Sequence, residues 1–145
     1  TPDTFVPNAP ITRAEFAAIC ARFDTGENAD GATFPDLAGH WAKEEVERAV
    51  SLGWIMGYED NTFRPDKAIT RAEAVTMINR VLCRLPEDTD DLLSGMNTWT
   101  DCHESDWFYL AIQEATNSHY YKTKENKFEK WSKLRETRDW TELEK

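Results

Sequence analysis

The stretch Ile69-Thr70-Arg71-Ala72-Glu73 repeats, letter for letter, the earlier stretch Ile11–Glu15. The likeness extends around both copies. An ungapped overlay of Thr4–Phe23 on Thr62–Val81 pairs identical Thr, Phe, Pro, Ile, Thr, Arg, Ala, Glu and Arg, in that order. Repetition at a fixed spacing is typical of one structural unit that is used more than once. We therefore expect a chain built from repeats.

Each copy carries the signature of a helix start. Thr12 and Glu15 have the spacing of a capping box, as do Thr70 and Glu73, so each side chain is placed to accept a hydrogen bond from the other's backbone N–H. Apolar residues follow at helical spacing, which predicts a helix with an apolar stripe after each cap. The stripes consist of Phe16, Ile19, Cys20 and Phe23 in the first copy and of Val75, Ile78 and Leu82 in the second.

The arginine of the motif needs a separate explanation. Arg13 and Arg71 fall at the first helical position, where the positive end of the helix dipole disfavours a cation. Free N–H groups at a helix start bind anions, and a guanidinium there adds a bidentate donor for carboxylate or phosphate. A salt bridge to an acidic neighbour explains the same residue, and the sequence leaves both alternatives open.

Composition limits the class of protein. The chain has 145 residues, 40% of them hydrophobic and 30% charged, which suits one domain with a modest core or a few small units. A net charge of −10 argues against nucleic acid as a partner. No apolar run approaches the length of a membrane span, and no signal peptide opens the chain, whose start at Thr1 is expected of a processed or excised fragment.

The carboxyl-terminal part differs in charge from the rest. Residues 119–145 hold eight Lys or Arg and six Asp or Glu. Their alternating signs predict a solvated helix.

The three cysteines fit no zinc pattern. Cys20 lies on an apolar stripe and is expected to act as a small hydrophobe. Cys102 and His103 lack further ligands, so we expect no metal site and no cofactor.

The chain divides into three related units that we expect to form one domain. The complete unit covers 34–85, with a helix near Trp41–Leu52, a stop at Gly53, a turn cluster at 57–62 and a second helix at about Arg71–Leu85. Residues 1–25 hold only the second half of such a unit, and 25–33 is expected to be a linker. Residues 98–145 hold a degenerate third unit. Its first half echoes the complete unit, with Trp107, Ile112 and Ala115 in the places of Trp41, Val46 and Ala49.

The complete unit resembles the S-layer homology (SLH) module. The likeness is carried by Phe34-x-Asp36, His40-Trp41-Ala42, Gly53, Gly57-Tyr58, Asn61–Pro65 and Ile69–Glu73, in the family's order and spacing. It implies a mainly α fold, a pseudo-threefold arrangement of SLH repeats, each helix–loop–helix, around a central helical bundle. It also implies non-covalent anchoring of a surface protein to the cell wall or S-layer of a Gram-positive bacterium. The implied extracellular partner is a secondary cell wall polysaccharide, anionic or pyruvylated.

The resemblance ranks the candidate binding residues. The motif arginine is a recurrent ligand contact in the grooves between SLH repeats, so Arg13 and Arg71 come first. Asp36 and Asp101 come second, as partners of sugar hydroxyls. Gly57 would allow the backbone to approach the ligand closely.

Two tryptophans complete the set of candidates. Trp41 and Trp107 could stack on sugar faces, although aromatic residues at helix starts beside apolar stripes are more often core anchors. The third unit has no intact motif, so Arg138 is only a weak candidate and we expect at most two good sites.

Two other functions compete with polysaccharide binding. A protein–protein module for surface-layer assembly, with other surface-layer subunits as partners, would also explain the repeats and aromatics. A glycan-acting enzyme would need a carboxylate pair such as Glu59 and Asp60, or Asp101 and Glu104. These acids lie in turns and linkers and no nucleophile is paired with a base, so we assign no catalytic residue.

Overall fold

A computed structural model describes residues 7–24, 33–136 and 142 of the chain. The described elements are four α-helices and one two-stranded sheet, which confirms the mainly α prediction. They are α1 (Arg13–Ala21), α2 (Lys43–Ser51), α3 (Arg71–Val81), α4 (Tyr109–Thr116), β1 (His119–Thr123) and β2 (Glu129–Leu134). The chain divides into two compact units, Thr1–Ala74 and Val75–Lys145. Arg138 and the expected linker, apart from Thr33, lie outside the described residues, and the pseudo-threefold arrangement stays a prediction.

Both helix starts of the repeated motif have the predicted caps. At α1, the Glu15 N–H donates to Thr12 Oγ1 over 3.1 Å and the Thr12 N–H donates to Glu15 Oε2 over 2.8 Å. At α3, the matching bonds between Glu73 and Thr70 measure 3.2 and 2.8 Å. These reciprocal bonds use backbone donors that a helix start would otherwise leave unpaired, so the motif begins a helix in both places.

The buried face of α1 differs from the predicted stripe. Ile19 and Phe23 belong to the predicted apolar stripe, but they are 47% and 72% exposed and do not lie on the buried face. The small side chains on the buried face allow α1 to pack closely against α2. They are Ala14, Ala17, Ala18, Cys20 and Ala21. In the second copy, Ile78 and Leu82 are likewise exposed.

The core of the first unit is formed by α2 and the segments on either side of it. A 3₁₀ turn at Pro35–Leu37 precedes α2, and Val46 and Ala49 are buried on the predicted face of that helix. The rings of Phe34 and Phe63 pack with their centroids 5.7 Å apart. This packing holds the loop after α2 beside Phe34, the first residue of the complete repeat. That loop forms part of the candidate site.

In the second unit, α3 ends earlier than predicted. It stops at Val81 rather than near Leu85 because Cys83 takes a left-handed conformation, with φ of 54°. The Arg84 N–H then bonds to the Asn79 carbonyl over 2.8 Å, which closes the helix end. The helix α4 forms where the sequence echo of α2 predicts it.

The segment after Ser118 forms a β-hairpin, and the predicted solvated helix is wrong. β1 and β2 pair antiparallel, with an irregularity between Tyr120 and Tyr121. Glu129 and Trp131 are buried while Lys130 between them is exposed, a period of two that suits a strand and not a helix. The two strands are joined through a turn in which Lys127 has a φ of 70°.

Candidate functional site

The two helix starts are identical in sequence, but their backbone donors have different partners. At α1 the Arg13 N–H donates to the Lys67 carbonyl over 2.9 Å, and the Ala14 N–H donates to the Pro65 carbonyl over 3.0 Å. The loop before the second motif therefore covers the start of the first. Because these donors are already used, they are not available to an anion at α1.

The Arg13 side chain is also enclosed by the protein, with only 3% of its surface exposed. Its Nη1 contacts Glu73 Oε1 at 2.5 Å, and its Nε and Nη2 each donate over 2.9 Å to the carbonyls of Phe63 and Met56. Of the two alternatives for the motif arginine, an anion ligand or a salt bridge, Arg13 therefore forms the salt bridge. Its partner is the glutamate of the other copy of the motif.

Arg71, at the same position of α3, has a different environment. Its side chain is exposed, and within the described part of the chain its guanidinium has no hydrogen bond, ion pair or ring contact. The backbone N–H groups of Arg71 and Ala72 also have no partner among the described residues. The start of α3 therefore keeps a set of donors suited to a carboxylate.

A cluster of cations surrounds Tyr58 in the loop after α2. The Cζ atoms of Arg13 and Arg64 lie 4.7 and 4.0 Å from its ring centroid, and Lys67 Nζ lies 5.0 Å from it. Lys67 also donates to the Tyr58 hydroxyl over 3.0 Å, and that hydroxyl donates to Glu73 Oε1 over 3.1 Å. Cations at these distances are attracted to the ring face. Of these cations, Arg64 and Lys67 are exposed, and Arg64 also forms an ion pair with Asp60 at 2.8 Å.

Two carboxylates balance this cluster and remain ionised. Burial raises the pKa of Glu73, but the hydrogen bond from the Thr70 N–H and the charge of Arg13 outweigh it and hold the pKa below its usual range. The Asp60 carboxylate accepts hydrogen bonds from the Thr62 hydroxyl and from Arg64, and these bonds lower the pKa of Asp60 to about 2. Because Asp60 is ionised near neutral pH, it is poorly suited to the general acid role of a hydrolase.

Asp36 and Gly57 have structural roles in the same loop. The Asp36 carboxylate accepts hydrogen bonds from the backbone N–H groups of Phe63, over 3.0 Å, and Arg64, over 2.7 Å. A Cβ at Gly57 would lie only 2.1 Å from Cε1 of Phe34, so the packed ring explains this glycine. A contact of either residue with a ligand stays a prediction.

The candidate tryptophans lie on the surface. Trp41 and Trp107 are each 65% exposed, so the expectation that they anchor a core is wrong. Trp41 lies beside His40 and Trp107 beside Phe108, with ring centroids 5.6 and 5.4 Å apart. Asp101, in the second unit, is also exposed. These side chains are accessible to a ligand.

Sequence reasoning did not select Tyr58, Arg64 and Lys67 as site residues. The available signal was an aromatic residue followed by basic residues six and nine positions later, on either side of Pro65. Linear spacing did not reveal their convergence, because only the folded turn brings Arg64 and Lys67 to one ring.

Comparisons with known proteins identify a family profile and several relatives of this sequence. The profile of the S-layer homology domain matches residues 1–17 and 33–75. The cellulosome-anchoring protein of Acetivibrio thermocellus is 41% identical over 129 residues, which cover 85% of this chain and 28% of that protein. Cell surface glycoprotein 1 of the same organism is 38% identical over 145 residues, covering 92% of this chain and 6% of that protein. The S-layer protein sap of Bacillus anthracis is 40% identical over 75 residues, covering 51% of this chain and 9% of that protein.

The chain thus spans less than a third of the length of these relatives. No solved structure matches it. Among the described residues, no helix has the length and apolar character needed to cross a bilayer. The matched profile covers both copies of the repeated motif, at Ile11–Glu15 and Ile69–Glu73. This chain therefore carries an S-layer homology region, matched at residues 1–17 and 33–75.

Proposed function

We propose that this chain anchors a surface protein non-covalently to the cell wall by binding an anionic secondary cell wall polysaccharide. The ligand class is a polymer that carries carboxylate groups, with pyruvylated sugars as the best fit, and the location is the wall or S-layer of a Gram-positive bacterium. Support comes from the S-layer homology match and from relatives named for cellulosome anchoring and for S-layers. The module is non-catalytic in this proposal.

The observation that carries the proposal is the start of α3. Arg71 places an exposed guanidinium beside two backbone N–H groups that have no partner among the described residues. A pyruvyl ketal presents one carboxylate, which can accept from the guanidinium fork and from N–H groups at a helix start. The net charge of −10 does not prevent this contact, because at physiological salt exposed charges are screened within about 8 Å.

The other candidate residues take supporting roles in the proposal. Arg13 positions the loop around Tyr58 through its bonds to the Met56 and Phe63 carbonyls, and contributes to binding through that loop. Arg64 and Lys67 supply further exposed positive charge.

The remaining candidates are assigned by chemistry. Asp36 and Asp101 are proposed partners of sugar hydroxyls, Gly57 a point of close backbone approach, and Trp41 and Trp107 stacking surfaces for sugar rings.

The proposal is tested by titrating purified wall polysaccharide into the wild type and variants. Arg71→Ala removes a charge-assisted contact of about 1.5–3 kcal/mol and should weaken binding about 10- to 150-fold. The matched control is Arg22→Ala, which removes an exposed arginine outside the motif and should leave binding unchanged. Removal of the pyruvyl groups from the polysaccharide should weaken wild-type binding and leave Arg71→Ala little affected. Undiminished binding by a variant that lacks both Arg13 and Arg71 would reject the proposal.

The alternative of a protein–protein module for surface-layer assembly is supported by exposed apolar side chains. Those that are at least 65% exposed include Phe23, Met56, Trp41 and Trp107. Large exposed apolar groups mark interaction surfaces when they are contiguous. Sedimentation of protein freed from polysaccharide tests this alternative, since oligomers that grow with protein concentration would favour it.

A further inference from the structure

The second unit contains a buried cluster of side chains that neither the repeat motif nor the proposed anchoring uses. The side chains of Glu114 of α4, His119 of β1 and Glu129 of β2 are at most 4% exposed. The three potential ligand atoms lie within 4.8 Å of one another. His119 Nε2 is 3.2 Å from Glu114 Oε2 and 3.1 Å from Glu129 Oε1. We propose that these three side chains form a binding site for one Zn²⁺ ion.

The hydrogen bonding of His119 directs Nε2 toward the two carboxylates. Its Nδ1 lies 2.7 Å from the Asn117 carbonyl, which can only accept, so Nδ1 carries the hydrogen. Burial lowers the pKa of His119, but its hydrogen bonds to Glu114, Asn117 and Glu129 outweigh burial and raise it, so the metal-free cluster holds a proton on Nε2 against the two carboxylates. Zn²⁺ takes the place of this proton, and Nε2 and the two carboxylate oxygens then become its ligands. An imidazole whose second nitrogen donates to a backbone carbonyl is also the usual arrangement of a metal-binding histidine.

The spacing matches the coordination sphere of zinc. Zn–N and Zn–O bonds of about 2.0–2.2 Å at tetrahedral angles place neighbouring ligand atoms about 3.4 Å apart. The separations of His119 Nε2 from the two carboxylate oxygens, 3.1 and 3.2 Å, are close to this value. One nitrogen and two carboxylate oxygens favour Zn²⁺ over Ca²⁺ and Mg²⁺, which prefer sets made of oxygen alone.

Arg84 is placed to orient the ligands rather than to replace the metal. Its Nε donates to Glu129 Oε2 over 2.6 Å and its Nη2 donates to Glu114 Oε1 over 2.7 Å, so it uses the carboxylate oxygens that do not face His119. Its Nη2 also lies 3.1 Å from His119 Nε2, and metal binding replaces this contact together with those between Nε2 and the two carboxylates. Two carboxylates against one guanidinium leave the cluster with a net charge of −1 when His119 is neutral, which favours a bound cation.

The surroundings provide rigidity and access. The Trp131 ring stacks on His119 with centroids 4.0 Å apart, and its Nε1 donates to Glu114 Oε2 over 2.9 Å. A cavity of about 360 Å³ is lined by Glu114, His119 and Arg84, among others. The cavity gives the ion a route of entry, and a water molecule there can complete the fourth position of an open zinc site.

Zinc binding is tested with the full chain carrying Cys83→Ser, which removes the exposed thiol. After treatment with chelator, calorimetric titration with Zn²⁺ should show one equivalent bound. His119→Phe keeps a ring against Trp131, and Glu129→Gln keeps the side-chain shape. Each of these two variants should bind Zn²⁺ more weakly than the wild type. The loss of affinity should exceed the roughly 10- to 100-fold that follows from losing a residue that only hydrogen-bonds to a ligand. Glu125→Gln, an exposed residue between the two strands, is the matched control and should bind normally.

A second measurement keeps Glu114, His119 and Glu129 intact, so its result does not depend on whether the variants fold. In ¹⁵N spectra of the imidazole groups, Zn²⁺ should shift Nε2 of His119 and leave His40 and His103 unchanged. The proposal is overturned if no stoichiometric binding occurs, if His119→Phe and Glu129→Gln bind as well as the control, or if His119 does not shift.

Discussion

The two arginines of the repeated motif offer a matched test of the structure. Arg13→Ala and Arg71→Ala make the same change at the same helical position in the same repeated sequence. Arg13 is 3% exposed and bonded to Glu73, whereas Arg71 is exposed and has no partner among the described residues. We expect Arg13→Ala to destabilise the first unit strongly and Arg71→Ala to leave its stability unchanged.

The magnitude follows from what Arg13→Ala leaves behind. The Glu73 side chain, 14% exposed, loses its charge partner, and the carbonyls of Phe63 and Met56 lose their donors. Removing one partner of a buried ion pair costs about 3–5 kcal/mol, because the remaining charge stays desolvated. Changes at exposed positions away from such contacts usually stay within about 0.5 kcal/mol. The two variants should therefore differ by at least about 2.5 kcal/mol.

Native-state hydrogen exchange is the suitable assay, because the chain contains two compact units. Protection of the α1 amides at Ala17 and Ala18 gives the free energy of opening for the first unit. Glu73→Gln is a useful companion, since it removes the charge and keeps the shape of the side chain. Equal protection of these amides in Arg13→Ala and Arg71→Ala would refute the interpretation of Arg13 as a structural ion pair.

Two further predictions concern the same unit. Gly57→Ala should lower the free energy of unfolding by about 1–3 kcal/mol, because the new Cβ meets the buried Phe34 ring, and adding Phe34→Leu should restore part of the loss. Thermal unfolding measures both, and an unchanged melting temperature in Gly57→Ala would contradict the packing explanation. The second prediction concerns acid. The pKa of Glu73 is lower in the folded protein than its value of about 4.3 in an unfolded chain. Its contribution to stability is therefore complete above that unfolded value and is lost as the pH falls through the lower folded pKa. Melting temperatures between pH 2 and 6 should thus fall less steeply with acid in Glu73→Gln than in the wild type, and identical slopes would contradict this assignment.

The local chemistry of the motif was predictable because it depends on residues close in sequence. The capping boxes at Thr12 and Thr70 each join a threonine to the glutamate one helical turn later, so spacing was sufficient to identify them. The mainly α class was implied by the resemblance to the SLH module, and the position of α4 followed from the sequence echo of α2. The tail was predicted as a helix from its alternating charges, whereas the burial of Glu129 and Trp131 on one face of β2 depends on the folded hairpin.

The candidate site was predictable only in part. Motif likeness selected the arginines, but it did not show which of them has free donors. That difference depends on the loop at 65–67, which is distant from Arg13 along the chain and whose carbonyls bond to the start of α1. The exposure of Trp41 and of Ile19 was unpredictable for a similar reason, since periodicity identifies an apolar face but not which neighbour covers it.

The sequence by itself determined where helices begin, that the unit is repeated and which family the chain resembles, because these properties depend on short-range spacing. Tertiary structure alone decided that Arg13 is bonded within the protein while Arg71 is exposed. It also brought the potential ligand atoms of Glu114, His119 and Glu129, from α4, β1 and β2, within 4.8 Å of one another. The physical reason is the same in both cases. The free energy of a charged side chain is set by its partners and its burial, and these come from segments distant along the chain.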